Sequence, residues 1–170
     1  MYINMTKETI YRIHQKILNR LPKSYPKIPL KIYATTPGML RAISRGCGIS
    51  YKNFVDHWNQ KLENPEYIKT KYRPINNKDK KLTAFSIVAL ALNPITLSLA
   101  KVQGYKVYEV GYILLHELGH HILDPFGKGV ETEKQCDRFA SRWIRKLREE
   151  GILKGELRKK GNSLPSNVRG

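Results

Sequence analysis

Apolar residues recur along the chain with two different periods, and the period assigns each segment to an element. Ile10, Ile13, Ile17, Leu18 and Leu21 fall on one stripe at helical spacing, behind Thr6 as an N-cap and ahead of Pro22, which predicts an amphipathic helix. His14 borders that stripe and is expected to be packed or at the surface, not a ligand. From Leu30 to Thr35 the period changes to two: Leu30, Ile32 and Ala34 alternate with Lys31, Tyr33 and Thr35, a half-buried strand closed by Pro37-Gly38. Leu82 to Ala100 is mostly apolar, but Thr83, Ser86, Thr96 and Ser98 interrupt it and Asn93-Pro94 places a turn signal in its middle. We therefore expect two buried strands, about Ile87 to Leu92 and Ile95 to Leu99, in place of a membrane span.

Helical spacing returns with Val107, Val110, Gly111, Leu114, Leu115, Leu118 and Ile122, over about 107 to 123. The cluster Asp124-Pro125-Phe126-Gly127-Lys128-Gly129 stops this helix, and a further one is expected from about Val130 to Glu149. A connection that short predicts an antiparallel helical hairpin. Strands and helices in this order make an α+β domain over residues 1–150, with 151–170 a basic, partly flexible tail.

Residues 39–62 carry a second pattern, that of a helix-turn-helix. Ser44 lies four before the turn glycine Gly48, Ile49 and Ser50 follow as turn hydrophobe and N-cap, and Phe54 and Trp58 would pack the second helix. Tyr51, Lys52, Asn53 and Asp56 or His57 would then face a major groove. The plainer alternative is a pair of scaffold helices within the larger domain.

Charge gives that pattern more weight. Lys and Arg number 31 against 14 Asp and Glu, a net charge of +17, which favours polyanionic partners. Lys134, Arg138, Arg142 and Arg145 form a one-sided stripe opposite Glu133, Asp137, Ala140 and Ile144; phosphate contact and a merely solvated basic face are the two readings of it. Two widely separated cysteines and a polar first stretch, Met1 to Glu8, predict a cytoplasmic chain with free thiols and no membrane association.

The chemistry concentrates in His116-Glu117-Leu118-Gly119-His120. On a helix, i and i+4 share a face, so both imidazoles can reach one tetrahedral Zn²⁺ while Glu117, about 100° round the helix, sits beside an open coordination position as general base. With only 5 histidines in the chain, chance would produce such a motif in roughly one shuffled sequence per hundred, and the apolar helix around it lowers that risk. Leu123 and Phe126 exclude the metzincin spacing, and no histidine follows His121, so the third ligand is sought among Asp124, Glu131, Glu133 and Asp137. Counting outward from the connection, Glu133 lies level with His120, and Asp137 one turn deeper lies level with His116. Glu133 is thus the expected third ligand, Glu131 the runner-up, and Asp137 the carboxylate that orients the His116 ring from behind, a plain salt bridge being its alternative role.

Taken together, His116 to His120 and the later run Glu133-Lys134-Gln135-Cys136-Asp137-Arg138-Phe139-Ala140 resemble the zinc-peptidase domain of the ImmA/IrrE family and, more broadly, gluzincins with a glutamate helix. Ile87 to Pro94 is similar to the strand and turn that precede the active helix there. The resemblance implies a zincin-like fold, with a small β-sheet packed on the motif helix and a glutamate helix following. It also implies an intracellular zinc metallopeptidase whose protein substrate is a DNA-bound regulator, since repressors are cleaved in that family. In zincin-like folds the strand beside the active helix pairs with an extended substrate, so Ile87 to Leu92, or Ile95 to Leu99, would be that edge. The histidine that stabilises the transition state in some gluzincins has no counterpart, leaving Tyr112, Tyr108 or an arginine for the role. A reading from another class is a nucleic-acid-binding regulator that uses residues 39–62 and the basic stripe, with a structural or inactive zinc site.

Overall fold

Thr6 starts the first helix: its hydroxyl accepts from the Thr9 N–H at 3.1 Å, and α1 runs over Lys7–Arg20 until the chain turns extended at Leu21. The structure, a computed structural model, describes residues 4–64, 82–124 and 133–153. After α1 come β1 (Leu30–Tyr33), α2 (Thr36–Cys47), α3 (Tyr51–Leu62), β2 (Ala89–Leu90), β3 (Ile95–Ser98), α4 (Val107–Leu123) and α5 (Glu133–Glu149). Short 3₁₀ turns at Ala84–Ser86 and Leu99–Val102 flank the two later strands. The expectation for Glu131 and the tail beyond Leu153 lies outside the described residues.

The architecture is α+β, with five α-helices among the described residues packed around a mixed sheet of order β1-β3-β2. β1 is parallel to β3, with Leu30 opposite Ile95 and Ile32 opposite Leu97; β2 is antiparallel to β3, with Ala89 opposite Leu97. This order corrects one expectation. Ile95 to Leu99 is no edge, because β3 has neighbours on both sides, whereas β2 has a partner on one side only among the described residues. The central position explains why all four β3 residues are buried and the strand does not alternate as a half-exposed one would.

Alternation on the sheet directs its two faces into two apolar layers. Leu30, Ile32, Ile95 and Leu97 pack with Ile10, Ile13 and Ile17 of α1 and with Leu114, Leu115 and Leu118 of α4. The other face receives Met39, Leu40 and Ile43 of α2 and Phe54 and Val55 of α3. Residues 39–62 thus form part of the sheet's second layer, with the predicted turn in place: Gly48 is left-handed at φ 70°, and the Ser50 hydroxyl accepts from the Asn53 N–H at 3.1 Å. Two details depart from expectation. Ile49 is 45% exposed instead of packed beneath the turn, and Lys52 is held by Asp56 at 2.8 Å.

α4 and α5 form the predicted hairpin and pack close together. A Cβ on Gly119 would stand 3.2 Å from Phe139 Cδ1 and 3.6 Å from the Cys136 Cα, and one on Gly111 would meet Leu153 at 2.8 Å and Ile144 at 3.0 Å. Glycine at both points lets the helix axes approach. Arg20 at the end of α1 grips Glu150 with two bonds of 2.7 and 2.9 Å, fixing the far end of α5. Among the described residues no helix is long and apolar enough to cross a membrane. Cys47 is exposed and Cys136 buried, and no disulfide joins them.

Candidate metal centre

The close α4–α5 contact brings the predicted ligands together. His116 and His120 project from one face of α4, and Glu133 reaches them from the first described turn of α5. Glu133 Oε1 lies 2.8 Å from His116 Nε2, and Glu133 Oε2 lies 3.3 Å from His120 Nε2. One ligand atom from each residue falls within 4.8 Å of the others, the only such group of His, Cys, Asp or Glu among the described residues.

A tetrahedral centre bonded at about 2.0–2.1 Å spaces its ligand atoms about 3.3 Å apart; the His120–Glu133 separation equals this and the His116–Glu133 separation is about half an ångström shorter, so a small side-chain adjustment would seat an ion. An imidazole lone pair and a carboxylate oxygen also repel unless a proton or a cation lies between them, so the donor set itself calls for a positive charge at its centre. Borderline nitrogen donors with one carboxylate suit zinc and neighbouring divalent metals; which of them is taken up follows from solution chemistry, not from these positions.

Behind the ligands stands Asp137, its Oδ1 2.8 Å from His116 Nδ1. With a cation between Nε2 and Glu133, the ring proton belongs on Nδ1, on the side of the Asp137 carboxylate, which can only accept. The same Oδ1 accepts from the Tyr112 hydroxyl at 3.0 Å. Burial, then the Asp137 charge beside it, pushes the Tyr112 phenol up to about 12, so its proton stays in place to be donated. The Tyr112 hydroxyl thus faces Asp137. Tyr108 lies one turn earlier, with Arg148 4.0 Å above its ring and Lys106 beside its hydroxyl. The link between Tyr112 and Asp137 was missed at the sequence level; its one signal was that Tyr112, four before His116, shares the ligand face.

Glu117 is fully buried, about 100° round α4 from His116. β2 approaches this helix, and His121, which carried no assignment, bonds the Leu92 carbonyl at 2.9 Å and ties the chain just after the edge strand to the motif helix. The motif helix begins with the Lys106 N–H donating to Glu109 Oε1 at 2.6 Å. Burial, which outweighs that bond, raises the Glu109 pKa.

The residues assigned to nucleic acid lie elsewhere. Lys134, Arg138, Arg142 and Arg145 are all exposed on the outer face of α5, as predicted, and Lys52 and Asn53 are exposed on α3. Arg138 and Arg142 border a groove of about 370 Å³ whose other walls are Leu123, Gln135 and Phe139. The two basic surfaces belong to different layers of the fold, α3 packing on one face of the sheet and α5 on the helix α4 that covers the other.

Comparison of the chain with family models, with curated proteins and with solved structures returns no match.

Proposed function

We propose that the chain is a zinc-dependent endopeptidase with a zincin-like fold, related to the ImmA/IrrE peptidases, acting on a protein substrate in the cytoplasm. The observation that carries this reading is the convergence of His116, His120 and Glu133 from two helices, with Glu117 buried on the same motif helix and β2 packed against that helix. Three protein ligands leave a tetrahedral ion one open position, the arrangement of catalytic sites; structural sites are closed by a fourth protein ligand. Zinc bound there supplies Lewis acidity, polarising a scissile carbonyl and acidifying a water molecule.

The remaining chemistry falls to the chain. Glu117 accepts the proton of the attacking water and delivers it to the departing amine. Its burial shields that proton from bulk solvent. Because the Val88 carbonyl accepts from the Ser98 N–H and so faces β3, alternation turns the amide and carbonyl of Ala89 to the open edge, where an extended substrate can add as a further strand. The edge strand would thereby lay the scissile bond beside Glu117.

Purified protein is expected to carry about one zinc per chain by elemental analysis. His116→Ala or His120→Ala should lose it and Glu133→Ala should weaken it, while Glu117→Gln should keep the metal and the fold but lose hydrolysis of protein substrates, since it removes a base and no ligand. Full metal retention in all three ligand variants would refute the site. Retention of zinc without hydrolysis by wild type would favour the second reading, a nucleic-acid-binding regulator with an inactive site. That reading draws its support from the formed turn at Gly48 and the fully exposed stripe on α5.

A further inference from the structure

We propose that Tyr112 is a positioning residue that acts through Asp137 to fix the His116 ring in the orientation and tautomer that present Nε2 to a metal ion. The proposal builds on the metal reading above, but its core, the control of one ring by a tyrosine two links away, concerns the protein without metal as well.

The argument is geometric. Asp137 Oδ1 is shared: His116 Nδ1 lies 2.8 Å from it and the Tyr112 hydroxyl 3.0 Å. The Asp137 side chain is 27% exposed, so a carboxylate anchored by His116 alone could rotate toward water and leave the ring free to turn. Tyr112, half-buried between the helices, supplies the second anchor and removes that freedom. Ser141, one turn beyond Asp137 on α5, lies on the same side as the Tyr112 hydroxyl. The order Ser141, Tyr112, Asp137, His116 crosses between α5 and α4 at every step, and each helix contributes a pair four residues apart. Such spacing keeps both pairs on facing surfaces, so the row of polar side chains runs down the helix interface and ends at the ligand cluster. His116 itself is fully buried, and the Asp137 carboxylate is the charged group set 2.8 Å from its Nδ1.

A tyrosine that only fills space between two helices would behave differently from one that holds a carboxylate. Tyr112→Phe keeps the ring and removes the bond. Measured by competition with a chelator, the zinc affinity of Tyr112→Phe is expected to fall roughly tenfold, the lower part of the range for partners of ligating histidines. Asp137→Asn should fall at least as far, and the double variant no further than Asp137→Asn alone, because the tyrosine works through the carboxylate. The thermal midpoint of metal-free Tyr112→Phe serves as the control for a purely structural role. In metal-free protein labelled at its histidine nitrogens, the His116 Nδ1–H resonance should be protected in wild type and broadened by exchange in Tyr112→Phe. Wild-type affinity in Tyr112→Phe, or a loss that adds in full to that of Asp137→Asn, overturns the proposal. If wild type takes up no zinc at all, the metal reading fails by itself. The nitrogen spectrum then decides the tyrosine: an unchanged His116 signal in Tyr112→Phe sinks it, and a broadened one sustains it.

Discussion

At the scale of single residues, spacing carried much and contact geometry the rest. His116, Glu117 and His120 follow from a helical period, and Glu133 and Asp137 from counting equal distances on either side of one connection, because an antiparallel hairpin puts equal counts at equal heights. Tyr112 shows where such counting stops. Its height beside Asp137 could be counted, but whether its hydroxyl points at a carboxylate or into a cleft depends on the rotation of one helix against the other, which the glycine contacts set. His14 shows the same limit, legible as packed but not as bonded. It is 5% exposed, with Nε2 3.0 Å from the Ile28 carbonyl, and burial lowers its pKa more than that bond raises it. The neutral ring is thus the form that folds. Its contribution is complete above the unfolded value of about 6.5 and is lost as pH falls through the lower folded value. The stability advantage of wild type over His14→Gln should therefore grow as pH rises from about 5 to 7, followed by denaturant titration. Parallel profiles for the two proteins would show that His14 does not contribute this way.

At the scale of elements, helix boundaries were legible where caps announce them, Thr6 and Ser50 at starts, Gly48 and the cluster after Leu123 at ends, but α2 starts at Thr36, three residues before the expected 39, because Thr35 caps it where a strand end was read. Strand order was not legible. Whether β3 pairs on one side or both depends on β1, more than fifty residues away, and no local period reports such a partner. Two glycines of apparently equal standing also separate only in three dimensions. Gly46 lies in α2 with nothing within 4 Å of a Cβ, so Gly46→Ala should stabilise by about 0.5–1 kcal/mol through backbone entropy alone. Gly111→Ala should destabilise by about 1–3 kcal/mol, since Leu153 and Ile144 would have to move. Thermal unfolding of the two variants should shift in opposite directions; a shared sign would contradict the packing described for α4.

At the scale of the whole molecule, a net charge of +17 was visible in the composition, whereas its distribution over separate layers was not. If the α5 stripe touches phosphates, duplex DNA should bind with a steep salt dependence. Reversing Lys134, Arg138, Arg142 and Arg145 should then weaken binding about equally for all sequences and flatten the slope, leaving zinc content unchanged. A reader on α3 would instead give a sequence preference that Lys52→Ala or Asn53→Ala relaxes. Absence of DNA affinity in wild type even at low salt would turn the search toward an acidic protein partner.

The division of the ligands between α4 and α5 has a consequence beyond chemistry. An ion held by two side chains of one helix and one of the next is a removable cross-link, closing the chain between His120 and Glu133 only while it is bound. Free ion at a hundred times its dissociation constant would add about 2.7 kcal/mol to the folded state, all of which a chelator would take away. Resistance to unfolding in this protein would then rise and fall with the metal supply of its surroundings, so that a starved cell would hold fewer intact copies as well as fewer active ones.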